Sequence, residues 1–356
     1  MVGKCLEKSA EPRKQFVRVA GITEHFPGMK TFRLEADGER TLSLAPARAG
    51  NYISVTADVG GSRVTRAYTL ASSPAEAQRD GFYLITVKKA GILSGFLCDE
   101  VAEGDVLLCS APDGNFVYDP AHDEKVVVGI AGGGGVTSML SMAKAVAEGS
   151  EDFDMVLVYS VDRACEFLFR EQLDGLNCPR VKVVYVAREG ACDGVESGVV
   201  TAKLVHDAVG GRKFTLFACG GDEFYAHLVR EFEGDALVAG MKFSKNSVTD
   251  RATEEKFFTL TVQLGAREYR VPCRTTETLM VAMERAGLGV LSQCRVGECG
   301  FCRSKVLAGD YTVSPSHDKR SSDDIRAGVV HPCCTYPDGD VTLSAPEDSA
   351  ASARKE

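Results

Sequence analysis

The 356-residue sequence predicts a multidomain protein: an antiparallel β-barrel, then an α/β unit on a parallel sheet, then a small C-terminal unit with clustered cysteines. Three observations carry that expectation. From about Lys14 to Asp119, short alternating stretches such as Asn51-Tyr-Ile-Ser-Val-Thr, Arg66-Ala-Tyr-Thr-Leu and Gly81-Phe-Tyr-Leu-Ile-Thr-Val are broken by Gly, Pro and Asp. That is the grammar of an antiparallel barrel or sandwich, with no helix expected beyond two turns. At Lys125 the pattern changes to continuous apolar runs separated by helical stretches, as a parallel sheet covered on both faces requires. Finally, five of the thirteen cysteines fall within the 41 residues from Cys294 to Cys334.

Composition removes several classes. Lys plus Arg number 41 against 50 Asp plus Glu, a net charge of −9 that argues against a nucleic-acid binder, which would present a basic stripe. No stretch approaches the ~18 apolar residues of a membrane span. Met1 to Gln15 lacks the apolar core of a secretion signal. Thirteen cysteines in such a chain read as reduced thiols or metal ligands, so a cytoplasmic metalloprotein is expected. The six histidines are scattered, none in a recognisable triad.

In chain order the boundaries are a tail at 1–13, the barrel at 14–119, the α/β unit at 120–245, a linker at 246–254, the cysteine-bearing unit at 255–346 and a tail at 347–356. Within the α/β unit, strands are expected at Val126–Ala131, Asp154–Tyr159, Val181–Val186 and Phe214–Ala218. A helix carrying Val136, Met139, Leu140, Ala143 and Val146 at 3.6-residue spacing follows the first. Beyond the linker, Phe257–Val262 and Glu268–Val271 read as a hairpin across Gly265-Ala266, and Thr278–Ala286 as a short amphipathic helix.

Cys294-Arg-Val-Gly-Glu-Cys299-Gly-Phe-Cys302, with Cys333 31 positions on, is the plant-type C-x4-C-x2-C…C spacing of a 2Fe–2S cluster held by four thiolates. A tight loop must wrap the cluster and aim N–H groups at its sulfurs, and Gly297 and Gly300 permit the turns. Zinc is the alternative, but zinc sites favour paired C-x2–4-C knuckles, which x4 followed by x2 does not make. The segment His331-Pro-Cys-Cys-Thr-Tyr-Pro337 looks like the ferredoxin stretch whose ligand lies four positions before a Pro, which selects Cys333 and leaves Cys334 as a buried thiol. Residues 255–346 as a whole resemble a plant-type ferredoxin, which implies a β-grasp fold.

Ala131-Gly-Gly-Gly-Gly-Val-Thr137 sits between a buried strand and a helix, where glycines admit a pyrophosphate to the backbone and the helix N-terminus supplies N–H donors. Cys219-Gly220-Gly221 ends a later strand, on the side of such sheets where ligands bind. Together these segments resemble the nicotinamide domain of the ferredoxin–NADP reductase superfamily. The resemblance maps Gly132, Gly133, Gly135 and Thr137 onto its dinucleotide-gripping segment and Cys219 and Gly220 onto the segment beside the nicotinamide. Ser138 and Gly221 stand where the family has Pro; neither removes an N–H donor. After the second strand, Asp162 and Glu166 favour NADH, whose free ribose hydroxyl suits a carboxylate, while Arg163 leaves NADPH open.

Arg66-Ala-Tyr68-Thr69 looks like the R-x-Y-[ST] flavin signature of the same superfamily. The residue types suit a flavin site, since a guanidinium forks onto phosphate, a phenol ring stacks on the isoalloxazine, and a hydroxyl reaches flavin N5. Ile85-Thr86-Val-Lys88-Lys-Ala-Gly91-Ile-Leu-Ser94 resembles the strand and Gly-x-x-Ser loop that line the flavin pyrimidine and its phosphates. FAD is the cofactor most such family members hold, with FMN in some.

The resemblance covers essentially the whole chain and implies three domains: an antiparallel β-barrel flavin domain, an α/β parallel-sheet nucleotide domain and an α+β β-grasp ferredoxin domain. It further implies an NAD(P)H-dependent reductase in which NADH gives a hydride to flavin N5 and electrons leave singly through the 2Fe–2S cluster. Their destination would be a partner redox protein such as an oxygenase or hybrid-cluster component. Tyr68, Thr69 and Cys219 would lie at the hydride-transfer centre, with Thr86, Lys88, Gly91 and Ser94 on the flavin. The alternatives are an electron carrier or redox sensor that does not turn over pyridine nucleotide, and a reductase run in reverse to reduce NAD. Asp323, Asp324 and Glu298 would either steer a basic partner or form a solvated face among Arg295, Arg303, Lys319 and Arg320.

Overall fold

The computed structural model describes residues 13–190, 192–244, 251 and 253–346. The predicted N-terminal tail apart from Arg13, the linker positions 246–250 and 252, and the C-terminal tail 347–356 lie outside the described residues.

Six antiparallel strands form the first unit: β1 (Lys14–Phe26), β2 (Met29–Ala36), β3 (Tyr52–Val59), β4 (Ser62–Thr69), β5 (Phe82–Lys88) and β6 (Val106–Ser110), in the order β4-β3-β6-β1-β2-β5. The outer strands meet at a Leu70–Ile85 bridge, which curls the sheet into a barrel. Strand alternation turns Phe32, Leu34, Ile53, Val55, Tyr83 and Ile85 inward, all fully buried; each such side chain removes apolar surface worth ~1.5–3 kcal/mol. Helix α1 (Pro74–Arg79) starts at a Ser73–Glu76 capping box with Pro74 in its first turn. Helix α2 (Ile92–Asp99) has eight residues, slightly more than the two turns expected as a maximum here. It escapes the sequence pattern because it opens on a bare glycine, and its cap comes from within: the Ser94 hydroxyl accepts the N–H groups of Ala90 (3.0 Å) and Gly91 (2.8 Å).

The second unit is a six-stranded, wholly parallel sheet of β7 (Val126–Gly132), β8 (Asp154–Arg163), β9 (Val181–Glu189), β10 (Val195–Ser197), β11 (Phe214–Cys219) and β12 (Val238–Ser244), in the order β10-β9-β8-β7-β11-β12. Helices α3 (Val136–Ala147), α4 (Arg170–Asp174), α5 (Ala202–Val209) and α6 (Asp222–Phe232) cover it. Strand order reverses at β7, so the β7–α3 and β11–α6 turns flank a topological switch point, where such sheets bind ligands. Helix α3 is buried along its length because it lies between this sheet and the barrel: Met29, Ala49, Ala71 and Tyr118 of the first unit share one apolar cluster with Val136, Met139, Leu140 and Ala143. Polar ties reinforce the seam, with the Ser141 hydroxyl donating to Ser72 O (2.7 Å) and Lys144 paired to Glu76 (2.9 Å).

The third unit contains a hairpin, β13 (Phe257–Leu264) with β14 (Arg267–Arg274), turning where the Gly265-Ala266 signal predicts. Helix α7 (Leu279–Arg285) follows, N-capped by Thr278. Strands β15 (Ser304–Ala308), β16 (Tyr311–Val313), β17 (Val329–Val330), β18 (Thr335–Pro337) and β19 (Val341–Ser344) and helix α8 (Ser322–Arg326) complete it. The five-stranded sheet runs β14-β13-β19-β15-β17 and clasps α7, with Leu260, Val262, Leu279, Met283 and Leu343 at its core.

Candidate functional site

The cysteine loop lies between α7 and β15. Its turns are made by three residues in the left-handed region, Arg295 (φ +65°), Gly297 (+77°) and Gly300 (+76°). Gly297 is required for a second reason: a Cβ there would sit 2.3 Å from His317 O and 2.9 Å from Cys334 Sγ. The loop aims backbone N–H groups at sulfur, with Cys299 N and Val296 N each 3.4 Å from Cys294 Sγ, and Cys294 N 3.5 Å from Cys299 Sγ. Cys333, from the turn Pro332–Cys334, brings its sulfur within 3.5 Å of Cys302 Sγ. The four thiols thus gather into one cluster, with Cys333 beside both Cys302 and Cys294. Cys334 is buried and donates to His331 O and His317 O instead.

Crowded thiols resist ionisation one by one. Its neighbour Cys294 and burial raise Cys299, and Cys333 and burial raise Cys302 well above an ordinary thiol. For Cys294 the Cys299 hydrogen bond acts downward, but the Cys333 thiol and burial carry it up to about 11. Such a set gives up its protons to metal cations. Four thiols in the C-x4-C-x2-C…C spacing, with three backbone N–H groups aimed at their sulfurs, fit the 2Fe–2S group.

Strand β4, β5 and α2 lie side by side on the barrel, which brings together the segments holding Arg66, Tyr68, Thr69, Lys88, Gly91 and Ser94. Tyr68 packs on the barrel core, and burial raises its phenol, with the Arg66 charge opposing. The Thr86 hydroxyl, on the face of β5 opposite the inward Ile85, is bonded at 2.8 Å to Thr31, which bonds His25 at 2.8 Å. Arg66 holds something the sequence reading did not anticipate: its Nη1 donates to both carboxylate oxygens of Glu284, on α7, at 3.2 and 3.1 Å.

At the carboxyl ends of β7, β8 and β9 a cleft of about 1060 Å³ is lined by Gly132, Gly133, Gly134, Asp162, Arg163 and Glu166, with Lys88 closing it from the barrel. A Cβ on Gly135 would lie 2.0 Å from Cys219 O, so only glycine lets α3 start this close to the end of β11. Thr137, on the first turn of α3, donates to Gly134 O (3.3 Å). Phe224 lies against the backbones of Gly132 and Gly220, and Gly220 N donates to Tyr225 Oη (3.0 Å). Cys219 itself is buried and lines neither cavity. Glu166 grips Arg163 at 2.6 and 2.8 Å, while Asp162 stands 3.5 Å from Arg188, a cation the sequence reading did not weigh. A glycine-floored cleft at the start of a 12-residue helix fits a dinucleotide.

A second cavity, about 230 Å³, joins the three units. Its walls are Tyr52, Ala67 and Thr69 of the barrel, Lys242 and Phe243 of β12, and Cys294, Val296 and Glu298 of the cysteine loop. Glu284, Gln293 and Tyr52 meet at this junction with no sequence signal for that meeting, and Arg295, expected among a solvated face, is instead buried and paired with Glu284. His331 was also missed: its buried ring donates from Nδ1 to Gly297 O (2.8 Å), bracing the loop.

Three family models match the chain: an oxidoreductase FAD-binding domain over residues 19–118, an oxidoreductase NAD-binding domain over 130–230 and a 2Fe-2S iron-sulfur cluster binding domain over 262–338. The NADH oxidoreductase HCR of Escherichia coli (strain K12) is 28% identical over 341 residues, covering 92% of this chain and 97% of that protein. The NADH-cytochrome b5 reductase 1 of Dictyostelium discoideum is 33% identical over 214 residues, covering 57% of this chain and 71% of its own length. Among solved structures, phthalate dioxygenase reductase, described as a modular structure for electron transfer from pyridine nucleotides to [2Fe-2S], superposes with a TM-score of 0.65 at 22% identity, covering 94% of this chain and 98% of that one. With all three domains matched in order along a single chain, this protein belongs to the ferredoxin–NADP reductase superfamily, as an NAD(P)H-dependent flavin oxidoreductase with a C-terminal 2Fe–2S domain.

Proposed function

We propose that the chain oxidises NADH and delivers its two electrons, one at a time, to a separate redox protein. The observation that carries this reading is the 230 Å³ cavity, bounded at once by Thr69 of the flavin signature and by Cys294 of the cluster loop. The unit 14–119 serves FAD, 120–245 serves NADH and 255–346 serves the cluster. When bound, flavin accepts a hydride and, with the 2Fe–2S group, releases its electrons singly. The balance is one NADH oxidised, two one-electron acceptors reduced and one proton released.

On this reading the protein's own groups place and shield. Arg66 neutralises flavin phosphate, Tyr68 supplies a ring face, Thr69 a hydroxyl at the reacting edge, and Thr86 and Lys88 belong to the strand along the pyrimidine. The Gly91–Ser94 turn, already shaped by the Ser94 hydroxyl, offers N–H groups to the phosphates. Gly132, Gly133, Gly135, Thr137 and Gly220 cradle the dinucleotide, and Cys219 backs the glycine turn where the nicotinamide reaches the flavin. Asp162 accepts from the ribose hydroxyls, and NADH is favoured because Glu166 already engages Arg163. Cys294, Cys299, Cys302 and Cys333 hold the irons. Electrons leave from the Cys299–Phe301 edge, which is part-exposed where Cys294, Cys302 and Cys333 are buried. The twelve described cysteines are free thiols, which supports a cytoplasmic location; among the described residues no helix is long and apolar enough to cross a membrane.

Anaerobic titration of the holoprotein with NADH should bleach flavin and cluster absorbance together and reduce two equivalents of a one-electron acceptor per NADH. Holoprotein left unbleached by excess NADH would refute the reading in favour of a carrier or sensor.

A further inference from the structure

We propose that Glu284 is a positioning residue for electron transfer: its carboxylate, shared by Arg66 and Arg295, sets the register of the cysteine loop on the flavin-binding face of the barrel. The inference rests on the reductase reading above and adds to it a residue outside every motif.

The two seams of the molecule differ in kind. The barrel and the nucleotide unit share an apolar cluster. The apolar cluster of the C-terminal unit is built only from its own residues. Its attachment to the barrel includes a set of buried and part-buried polar bonds: Ser54 Oγ to Gln293 O (3.0 Å), Gln293 Nε2 to Asp113 Oδ2 (2.6 Å), Thr65 N to Glu284 Oε1 (3.4 Å), and Arg66 Nη1 to Glu284 (3.1 Å). Apolar contact tolerates sliding, whereas complementary charges fix a register.

These bonds converge on one ligand. Gln293 and Arg295, the residues on either side of Cys294, are 3% and 7% exposed. Arg295 Nη2 reaches Glu284 at 2.9 Å, from a left-handed backbone that non-glycine residues seldom adopt. Glu284 is therefore bonded at once to the strand that carries Tyr68 and Thr69 and to the loop that carries Cys294. Burial and the nearby Arg295 charge act to lower the Arg66 pKa, and the Glu284 carboxylate opposes them. Without that carboxylate the buried Arg295 and the part-exposed Arg66 guanidiniums would face each other unneutralised across the seam.

The test compares Glu284→Gln, which keeps shape and removes charge, with Glu284→Asp and with Asp113→Asn, which loosens the Gln293 side and leaves Arg66 untouched. Holoproteins are mixed anaerobically with NADH in a stopped-flow instrument, following flavin and cluster bands separately, with the reduced cluster's paramagnetic spectrum as a check on its assembly. Glu284→Gln should bleach flavin within about twofold of the parent rate while cluster reduction slows at least about tenfold, as loss of positioning by an ångström does. Asp113→Asn should slow it in the same direction, and Glu284→Asp should recover part of the rate. Hydrogen exchange, read without any electron donor, should rise at both 62–69 and 293–297 in Glu284→Gln. Unchanged cluster reduction and unchanged exchange in Glu284→Gln with an intact cluster would overturn the proposal. If that variant does not load its cofactors, an unchanged Asp113→Asn overturns it and a slowed one upholds it. A parent protein that NADH cannot bleach sinks the reductase reading, and the exchange result then decides the clamp alone.

Discussion

Replacing Gly297 by alanine should cost the protein its cluster, while the same change at Gly300 should not. Both positions have nearly the same left-handed backbone, φ +77° and +76°, so both carry the ~1–2 kcal/mol that this region imposes on a residue with a Cβ. Their surroundings differ. At Gly300 the nearest atom to a new Cβ is Arg303 Cδ at 3.3 Å, part of a flexible chain that can move aside. At Gly297 it is the backbone carbonyl of His317 at 2.3 Å, followed by the buried Cys334 sulfur at 2.9 Å. The two are bonded to each other, Cys334 Sγ donating to His317 O, and the Gly297 carbonyl is itself held by the His331 ring, so neither side of the contact is free to move apart. Overpacking of this kind adds ~1–3 kcal/mol, a further factor of about 5 to about 150 in the equilibrium between loaded and open loop. The assay is iron and acid-labile sulfide per chain, with visible circular dichroism followed through a urea titration. Gly297→Ala should lose most of its iron and Gly300→Ala should retain it with a slightly lower midpoint. Equal iron content in Gly297→Ala and parent, or equal loss in both variants, would refute the reasoning.

Three further outcomes are expected. Gly135→Ala should abolish NADH oxidation while leaving iron content unchanged, because its Cβ would meet Cys219 O at 2.0 Å; Gly134→Ala, with nothing within 4 Å, should act as parent in the same assay. Glu166→Gln should lower the NADH-to-NADPH ratio of kcat/KM by roughly two- to fivefold, since an exposed ion pair holds Arg163 only weakly and releasing it offers a cation to the 2′-phosphate; an unmoved ratio would exclude Arg163 from nucleotide choice. Cys165 lines the dinucleotide cleft and Cys192 does not, although both are exposed. NADH should therefore slow alkylation of Cys165, measured by peptide mass spectrometry, and leave Cys192 unaffected.

Local patterns made much of the molecule legible. The alternation of β1 to β6, the apolar runs of β7, β8, β9 and β11, and the 3.6-residue spacing of α3 each depend on neighbours in sequence, as does the C-x4-C-x2-C loop. Helix α2 shows the limit of such reading: its cap is a serine folded back on two backbone amides, a conformation no periodicity announces. The flavin and nucleotide signatures were readable for a related reason, because a loop that cradles phosphate needs glycine or arginine at fixed offsets.

What sequence alone determined, then, is the set of units and the chemistry that each can hold. Only the tertiary structure decided how the units meet: that α3 is shared between barrel and sheet, that Phe224 lies over Gly132 and Gly220, and that Glu284 joins Arg66 to Arg295 across 218 and 11 residues of chain. The physical reason is that motif residues answer to a ligand or to their own turn, whereas a buried carboxylate between two guanidiniums is stable only once both have been brought to it.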